Sequence, residues 1–85
     1  MTHPNTALQL GEALRERRKR LGLNQLELCD LAGVGPAFLY HLEHGKPTVQ
    51  MDKLLAVLSV LGLGLELRDA REPLVFGPST IEGDQ

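Results

Sequence analysis

The chain has 85 residues, of which 42% are hydrophobic, and a formal net charge of −2 at pH 7, so it has room for one small domain. No apolar run approaches the roughly 20 residues that a membrane helix needs, and no leader peptide opens the chain. We therefore expect a cytoplasmic protein with no membrane partner. The single cysteine excludes an internal disulfide, and Cys29 falls at an inward helical position, which is typical of a small core residue.

The first predicted helix runs from about Ala7 to Leu21, because Thr6 and Gln9 have the spacing of a capping box. Its predicted apolar stripe consists of Leu10, Ala13, Leu14 and Leu21. Residues 1 to 5 precede it and are predicted to be flexible. Its last turns carry a cluster of basic residues: Arg15, Arg17, Arg18, Lys19 and Arg20. Cations there complement the helix dipole and can lie near phosphates, although a solvated helix end is the simpler interpretation.

The basic charge is concentrated in the first part of the chain. Residues 1 to 46 contain six lysines and arginines against five acidic residues, whereas residues 47 to 85 contain three against six. The net negative charge therefore does not exclude an acidic partner such as DNA for the first part.

The central stretch, LGLNQLELCDLAGVGPAFLYHLEHGK, predicts two short helices joined by a tight turn. Asn24 followed by Glu27 forms a second capping box, so a helix begins near Gln25 and ends at Gly33. Pro36 suits the first position of the next helix, which ends at Gly45. The predicted inward positions of the two helices are Leu28, Cys29, Ala32, Leu39 and Leu42.

An ordered set of residues in this stretch resembles the helix-turn-helix of the phage-repressor-like (Xre, Cro/C1) family: Gly22, Gln25, Leu28, Gly33, Val34, Leu39, Leu42, Glu43 and Gly45. The resemblance implies an all-α, λ-repressor-like fold of four to five helices that binds a palindromic double-stranded DNA operator. In that family the first helix of the pair crosses the DNA backbone and the second lies in the major groove. It implies a phosphate contact at Gln25, and a structural ion pair between Arg18 and Glu43.

Helical periodicity separates the groove-facing candidates from the core. Pro36, Ala37, Tyr40, His41 and His44 fall on the face opposite Leu39 and Leu42. Tyr40 and His41 can hydrogen-bond to base edges or phosphates, or simply solvate an exposed face, and Ala37 can meet a thymine methyl. Phe38 fits either the core or a DNA contact. The predicted DNA-binding residues are Gln25, Pro36, Ala37, Phe38, Tyr40, His41, His44 and Lys46.

A fourth helix is predicted in MDKLLAVLSVLGL, with one apolar face made by Met51, Leu54, Leu55, Leu58 and Leu61 and extended by Val57 and Val60. This arc is wider than a small monomeric core requires, which favours a subunit interface. In residues 63 to 68 apolar residues then alternate with other residues, which predicts a strand. Pairing with a second copy across a two-fold axis would satisfy the backbone hydrogen bonds of that strand. A fifth helix is the alternative. The predicted dimer interface comprises Val57, Val60, Leu63, Leu65, Glu66, Leu67 and Arg68.

The stretch GKPTVQMDKLLAVLSVLGLGLELRDA resembles, more narrowly, HipB-type antitoxins, whose fourth helix is followed by a short dimerising strand. The resemblance implies a repressor that is also the antitoxin of a HipA-type kinase. One alternative is a stand-alone regulator. Another is an interaction module that has lost DNA binding, since Leu26, Leu31 and Phe38 are apolar where the family is commonly polar. Residues 6 to 68 are the predicted domain, and residues 69 to 85, with the apolar island at 74 to 76, are predicted to be a flexible tail.

The sequence predicts no enzyme, metal site or cofactor. His41 and His44 lie on one helix without suitably spaced further ligands. The glycines at positions 33 and 35 follow a helix rather than a strand and lack the lysine of a phosphate-binding loop.

Overall fold

The computed structural model describes residues 6 to 69, which contain four α-helices. The helices are α1 (Thr6–Arg20), α2 (Gln25–Ala32), α3 (Pro36–Glu43) and α4 (Met51–Val60). The predicted helical architecture is confirmed, with α1 beginning at Thr6 rather than Ala7. None of the described helices is long and apolar enough to cross a membrane. The predictions for residues 1 to 5 and for most of the tail, including the apolar island at 74 to 76, lie outside the described residues.

Local chemistry sets the limits of α2 and α3. The Asn24 side chain accepts a hydrogen bond from the backbone N–H of Glu27 at 2.8 Å, and the Glu27 carboxylate accepts one from the backbone N–H of Asn24 at 2.8 Å. This is the predicted capping box. Gly33 ends α2 in the left-handed conformation with a φ of 70°. Pro36 is the first residue of α3, a position whose backbone N–H would have no acceptor within the helix, so the missing N–H of proline costs no hydrogen bond.

The core lies between the helices and holds α3 in place. Its largest fully buried side chains come from all four helical regions: Leu14, Leu28, Leu39, Val57 and Leu61. α2 packs against α4 and α3, and α1 packs against α3. The α1 contact is close, because a Cβ at Gly11 would lie 2.4 Å from the carbonyl oxygen of Leu42. Only glycine permits this approach, which seats the end of α3 against α1.

The inward face of α4 differs from the predicted one. Val57 is fully buried inside this chain, so the prediction that it contributes to a subunit interface is wrong, because it has no surface to offer a second copy. Of the predicted apolar face, Leu54, Leu58 and Leu61 are buried, whereas Met51 and Leu55 are 58% and 45% exposed. Leu21, placed in the stripe of α1, is also exposed, because it lies beyond the last turn of that helix. Val60 and Leu63 are half-buried against the core.

In the segment after α4, Leu63 packs against the core and residues 64 to 69 are exposed. Within residues 63 to 69 the structure has neither a strand nor a fifth helix. Leu65 is 60% exposed and Leu67 is fully exposed. A strand requires a partner for its backbone groups, and the described part of one chain contains no strand that could serve. Residues 64 to 69 therefore contribute no buried side chain to the helical core.

Candidate nucleic-acid interface

The outward face of α3 is set by the burial of its inward face. Leu39 and Leu42 are buried in the core and fix the rotation of the helix. The predicted groove-facing residues then all lie in solvent: Pro36, Ala37, Tyr40, His41 and His44. The structure therefore brings these five candidates together on one surface, as their helical spacing predicts.

Three aromatic side chains form a cluster on that surface. The rings of Tyr40 and His44 are stacked, with their centroids 4.0 Å apart and an interplanar angle of 25°. The rings of Tyr40 and His41 meet edge to face at 5.6 Å. The Nδ1 atom of His44 lies 2.8 Å from the backbone carbonyl oxygen of Tyr40. Because a carbonyl can only accept, this contact requires a proton on Nδ1 and leaves Nε2 for an outside partner.

Phe38 occupies a different position from these three residues. It is half-buried and packs against the core, and the Nζ atom of Lys53 lies 5.8 Å from its ring centroid. This placement favours the core interpretation of Phe38 over a DNA contact. Sequence reasoning did not single out Lys53, because a contact between residues on two different helices leaves no local spacing signal. Lys53 lies in the first turn of α4, and exposed Lys46 lies in the loop between α3 and α4.

A buried polar cluster joins α1, α2 and α3. The Nε atom of Arg18 donates to Oε2 of Glu43 at 2.7 Å, and Nη2 donates to Oε1 at 3.2 Å. Only 6% of Arg18 and 3% of Glu43 are exposed, so the ion pair that the resemblance implied is present and buried. The Nε2 atom of Gln25 donates to Oε1 of Glu43 at 3.0 Å, a contact that sequence reasoning missed.

The basic cluster at the end of α1 divides into structural and exposed members. Arg18 is the buried partner of Glu43. The Nε atom of Arg17 donates to the carbonyl oxygen of Leu61 at 2.9 Å, so it caps the C-terminal end of α4. The other three members are exposed: Arg15, Lys19 and Arg20. Within this cluster, these three residues can contact phosphates while the internal hydrogen bonds of Arg17 and Arg18 stay intact.

The described residues contain no group of three or more histidine, cysteine, aspartate or glutamate side chains that could hold a metal ion. Cys29 is buried in the core as a small residue. Burial raises the pKa of its thiol above the ordinary value of 9.0, and the nearby carboxylates of Asp30 and Glu43 act in the same direction. The thiol is therefore held in its unreactive protonated form.

Comparison with known proteins is consistent with this geometry. A family model described as a helix-turn-helix domain matches residues 9–71. Over 62 residues the chain is 44% identical to an uncharacterized HTH-type transcriptional regulator, y4mF, of Sinorhizobium fredii (strain NBRC 101917 / NGR234), covering 73% of this chain and 82% of that protein.

Solved structures also resemble this chain. The clp gene regulator ClgR of C. glutamicum is 34% identical, with a TM-score of 0.63 over 72% of this chain and 78% of that chain. A chain of the HipA-HipB-O2-O3 complex superposes with a TM-score of 0.70 over 82% of this chain and 99% of that chain. The latter is 23% identical, which shows a likeness of fold alone.

Proposed function

The chain belongs to the helix-turn-helix domain family, and from that premise we propose that it is a sequence-specific DNA-binding transcriptional repressor that acts as a homodimer. The observation that carries the proposal is the outward face of α3, where five residues are exposed and three of them form an aromatic cluster, while the opposite face is buried in the core. A helix held in this way fits the major groove of B-DNA. The proposal includes no catalytic step.

In the proposed complex α3 reads base edges. Tyr40 and His41 provide hydrogen-bonding groups, and His44 presents Nε2, which accepts from a base or donates to a phosphate according to its protonation. Ala37 provides a methyl group for contact with thymine. Pro36 has no donor, so the first turn of α3 contributes shape rather than hydrogen bonds.

Phosphate contacts position the reading helix. Gln25 begins α2, where the positive end of the helix dipole favours an anion. Lys46 and the exposed basic residues of α1 add positive charge around this site. Such contacts supply affinity for any duplex and orient α3 without reading the sequence.

Residues 63 to 68 are the proposed dimer contact. Leu65 and Leu67 are exposed on a segment of alternating pattern that this chain does not cover. Antiparallel pairing with a second copy would bury them beside the half-buried Val60 and Leu63. With Leu67 at the centre, Glu66 faces Arg68 of the second copy, a cross-strand pair that contributes about 0.2 to 1 kcal/mol.

A salt titration tests DNA binding directly. We expect fluorescence anisotropy to show tight binding to the native upstream duplex and weaker binding to a random duplex of equal length, with log K falling linearly with log salt on both. The native duplex should bind at least about a thousandfold tighter at physiological salt. Binding to neither duplex would overturn DNA binding and favour the interaction-module alternative. Equal binding to both duplexes would overturn sequence-specific repression.

Sedimentation equilibrium of Leu65→Pro tests the dimer contact. Proline removes a backbone donor from the proposed ladder, so we expect a monomer whose helices remain folded by circular dichroism. Operator affinity should then fall much more than non-specific affinity, because two half-sites are no longer held together. The control is Leu65→Val, which suits a strand and should remain dimeric. A Leu65→Pro protein that sediments as the parental dimer would move the interface to exposed residues of α4 such as Met51 and Leu55.

A second candidate function is that of antitoxin to a HipA-type kinase, the finer role that the resemblance to HipB implies. The fold likeness to a chain of the HipA-HipB-O2-O3 complex supports it, as does the 63% exposure of Leu26 and of Leu31 on α2, which suits a protein partner. The test is co-expression with the product of the adjacent reading frame. A stable complex with a kinase-like protein, and relief of its toxicity, would support the antitoxin; an unrelated neighbour would leave the stand-alone regulator.

A further inference from the structure

The buried carboxylate of Glu43 receives three hydrogen bonds from two different helices. Arg18 supplies two of them, at 2.7 and 3.2 Å, and Gln25 supplies the third at 3.0 Å. The side chain of Glu43 has no exposed surface, so water cannot replace a missing donor. An ionised carboxylate without its donors is strongly disfavoured at such a site, and the contact with Gln25 is therefore held in place by the burial of the charge.

The same cluster places the beginning of α2. Nη1 of Arg18 donates to the carbonyl oxygen of Leu23 at 2.8 Å, and Leu23 immediately precedes the N-cap Asn24. The arginine thus binds α3 through its Nε edge and the turn before α2 through Nη1. Gln25, as the first residue of α2, is set by this turn at its backbone and by Glu43 at its side-chain amide.

The amide of Gln25 keeps the groups that a phosphate contact needs. Its Nε2 atom has two hydrogens, and one is used in the bond to Glu43. Among the described residues no acceptor is hydrogen-bonded to the second hydrogen, and Gln25 is half-buried with part of its surface in solvent. A donor that is already oriented loses less conformational entropy on binding than a freely rotating side chain does.

We infer that Glu43 is a positioning residue for DNA binding, which acts by holding the Gln25 amide in the orientation that donates to a phosphate. This inference rests on the proposed function. Because Glu43 lies on α3 and Gln25 begins α2, the bond between them sets the phosphate contact relative to the reading face. The ion pair of Arg18 and Glu43 then serves DNA binding as well as folding.

The experiment separates positioning from stability by replacing the pair with apolar residues. Arg18→Met with Glu43→Met removes both charges together, which leaves no stranded ion and preserves side-chain volume. Binding of this variant to the native and random duplexes is measured by fluorescence anisotropy. It is compared with binding of the parent, of Gln25→Ala and of the triple variant that combines Gln25→Ala with the methionine pair. All measurements are made at a temperature at which circular dichroism shows each protein folded. Gln9→Ala, an exposed glutamine on α1, is the matched control.

Positioning predicts a particular pattern of losses. Gln25→Ala and the methionine pair should each weaken binding to both duplexes by roughly threefold to tenfold, the range of one hydrogen bond, and the triple variant should be no weaker than either. Glutamine is uncharged and releases no counterion, so the salt slope should stay that of the parent. A methionine pair that binds like the parent, or losses that multiply in the triple variant, would overturn the inference.

A second variant tests the same inference if the methionine pair does not fold. Gln25→Asn leaves the ion pair intact and retains the amide, but its side chain is one methylene shorter and cannot span from α2 to Glu43 and a phosphate together. We expect it to bind as weakly as Gln25→Ala, and binding equal to that of the parent would overturn the inference. Parent protein that binds neither duplex would overturn the proposed function itself, whereas normal parental binding with unaffected variants would overturn this inference alone.

Discussion

The two faces of α3 have opposite characters although they share eight residues of one helix. The inward face consists of Leu39, Leu42 and Glu43, each at most 3% exposed and packed against α1, α2 or the core. The outward face carries Tyr40 at 51% exposure, with both histidines of the helix end in solvent. The inward face therefore determines how stably the helix packs in the fold, and the outward face determines which partner the helix contacts.

This division means that stability and DNA recognition can be altered separately in a single short helix. Substitutions of Leu39 and Leu42 on the inward face should change unfolding and leave no specific signature in DNA binding of the folded fraction. Substitutions on the outward face should do the reverse. Glu43 and Gln25 are the exceptions, since the buried carboxylate of Glu43 accepts a hydrogen bond from the Gln25 amide at the edge of the proposed DNA surface.

The largest effect should come from Glu43→Ala on the inward face. The substitution leaves the buried charge of Arg18 without its partner, and the free energy of unfolding should fall by about 3 to 5 kcal/mol, which is enough to unfold a domain of this size. Thermal denaturation followed by circular dichroism measures it, with exposed Glu16→Ala as control. An unchanged melting temperature would show that the pair does not stabilise the fold.

A smaller loss should follow from Gly11→Ala, which acts on the inward face from α1. The added methyl would lie 2.4 Å from the carbonyl oxygen of Leu42, so α1 must move away from α3. We expect a loss of about 1 to 3 kcal/mol in a denaturant titration. Gly35→Ala is the matched control, because nothing lies within 4 Å of its Cβ position. Equal stability of the two variants would contradict the close packing of α1 on α3.

The outward face is tested by Tyr40→Ala and His41→Ala. Each should weaken binding to the native operator by about 1 to 3 kcal/mol if the side chain contacts a base edge, with a much smaller change on random duplex. Melting temperatures should match the parent, because both side chains are exposed. Ser59→Ala on α4 is the control. Equal losses on native and random duplexes would reassign these residues from bases to phosphates.

The smallest effect concerns Cys29 on α2, which packs beside the inward face. Burial raises the pKa of its thiol in the folded state above the ordinary value of 9.0. The thiol's contribution to stability is therefore fully present below the pKa of the unfolded chain and is lost as pH rises through the folded pKa. Between about pH 8 and pH 10 the parent should lose more stability than Cys29→Ala does. Parallel pH profiles for the two proteins would show that the thiol is not linked to folding.

Sequence signals predicted most of the fold because they act over a few residues. The pair Asn24 and Glu27 marked the start of α2, Gly33 its end and Pro36 the start of α3, and the structure has these limits. Periodicity alone separated the outward residues of α3 from Leu39 and Leu42. The same method did not identify the inward arc of α4, where seven of the ten residues are apolar.

The sequence by itself therefore determined the four helices, the helix-turn-helix and the composition of the face that α3 exposes, since capping, turn and helical spacing are local properties of the chain. Only the tertiary structure decided which polar groups form hydrogen bonds inside the fold. The bonds of Arg17 to Leu61 and of Gln25 to Glu43 join residues 44 and 18 positions apart. Such contacts depend on how helices pack in three dimensions, and no spacing along the chain encodes them.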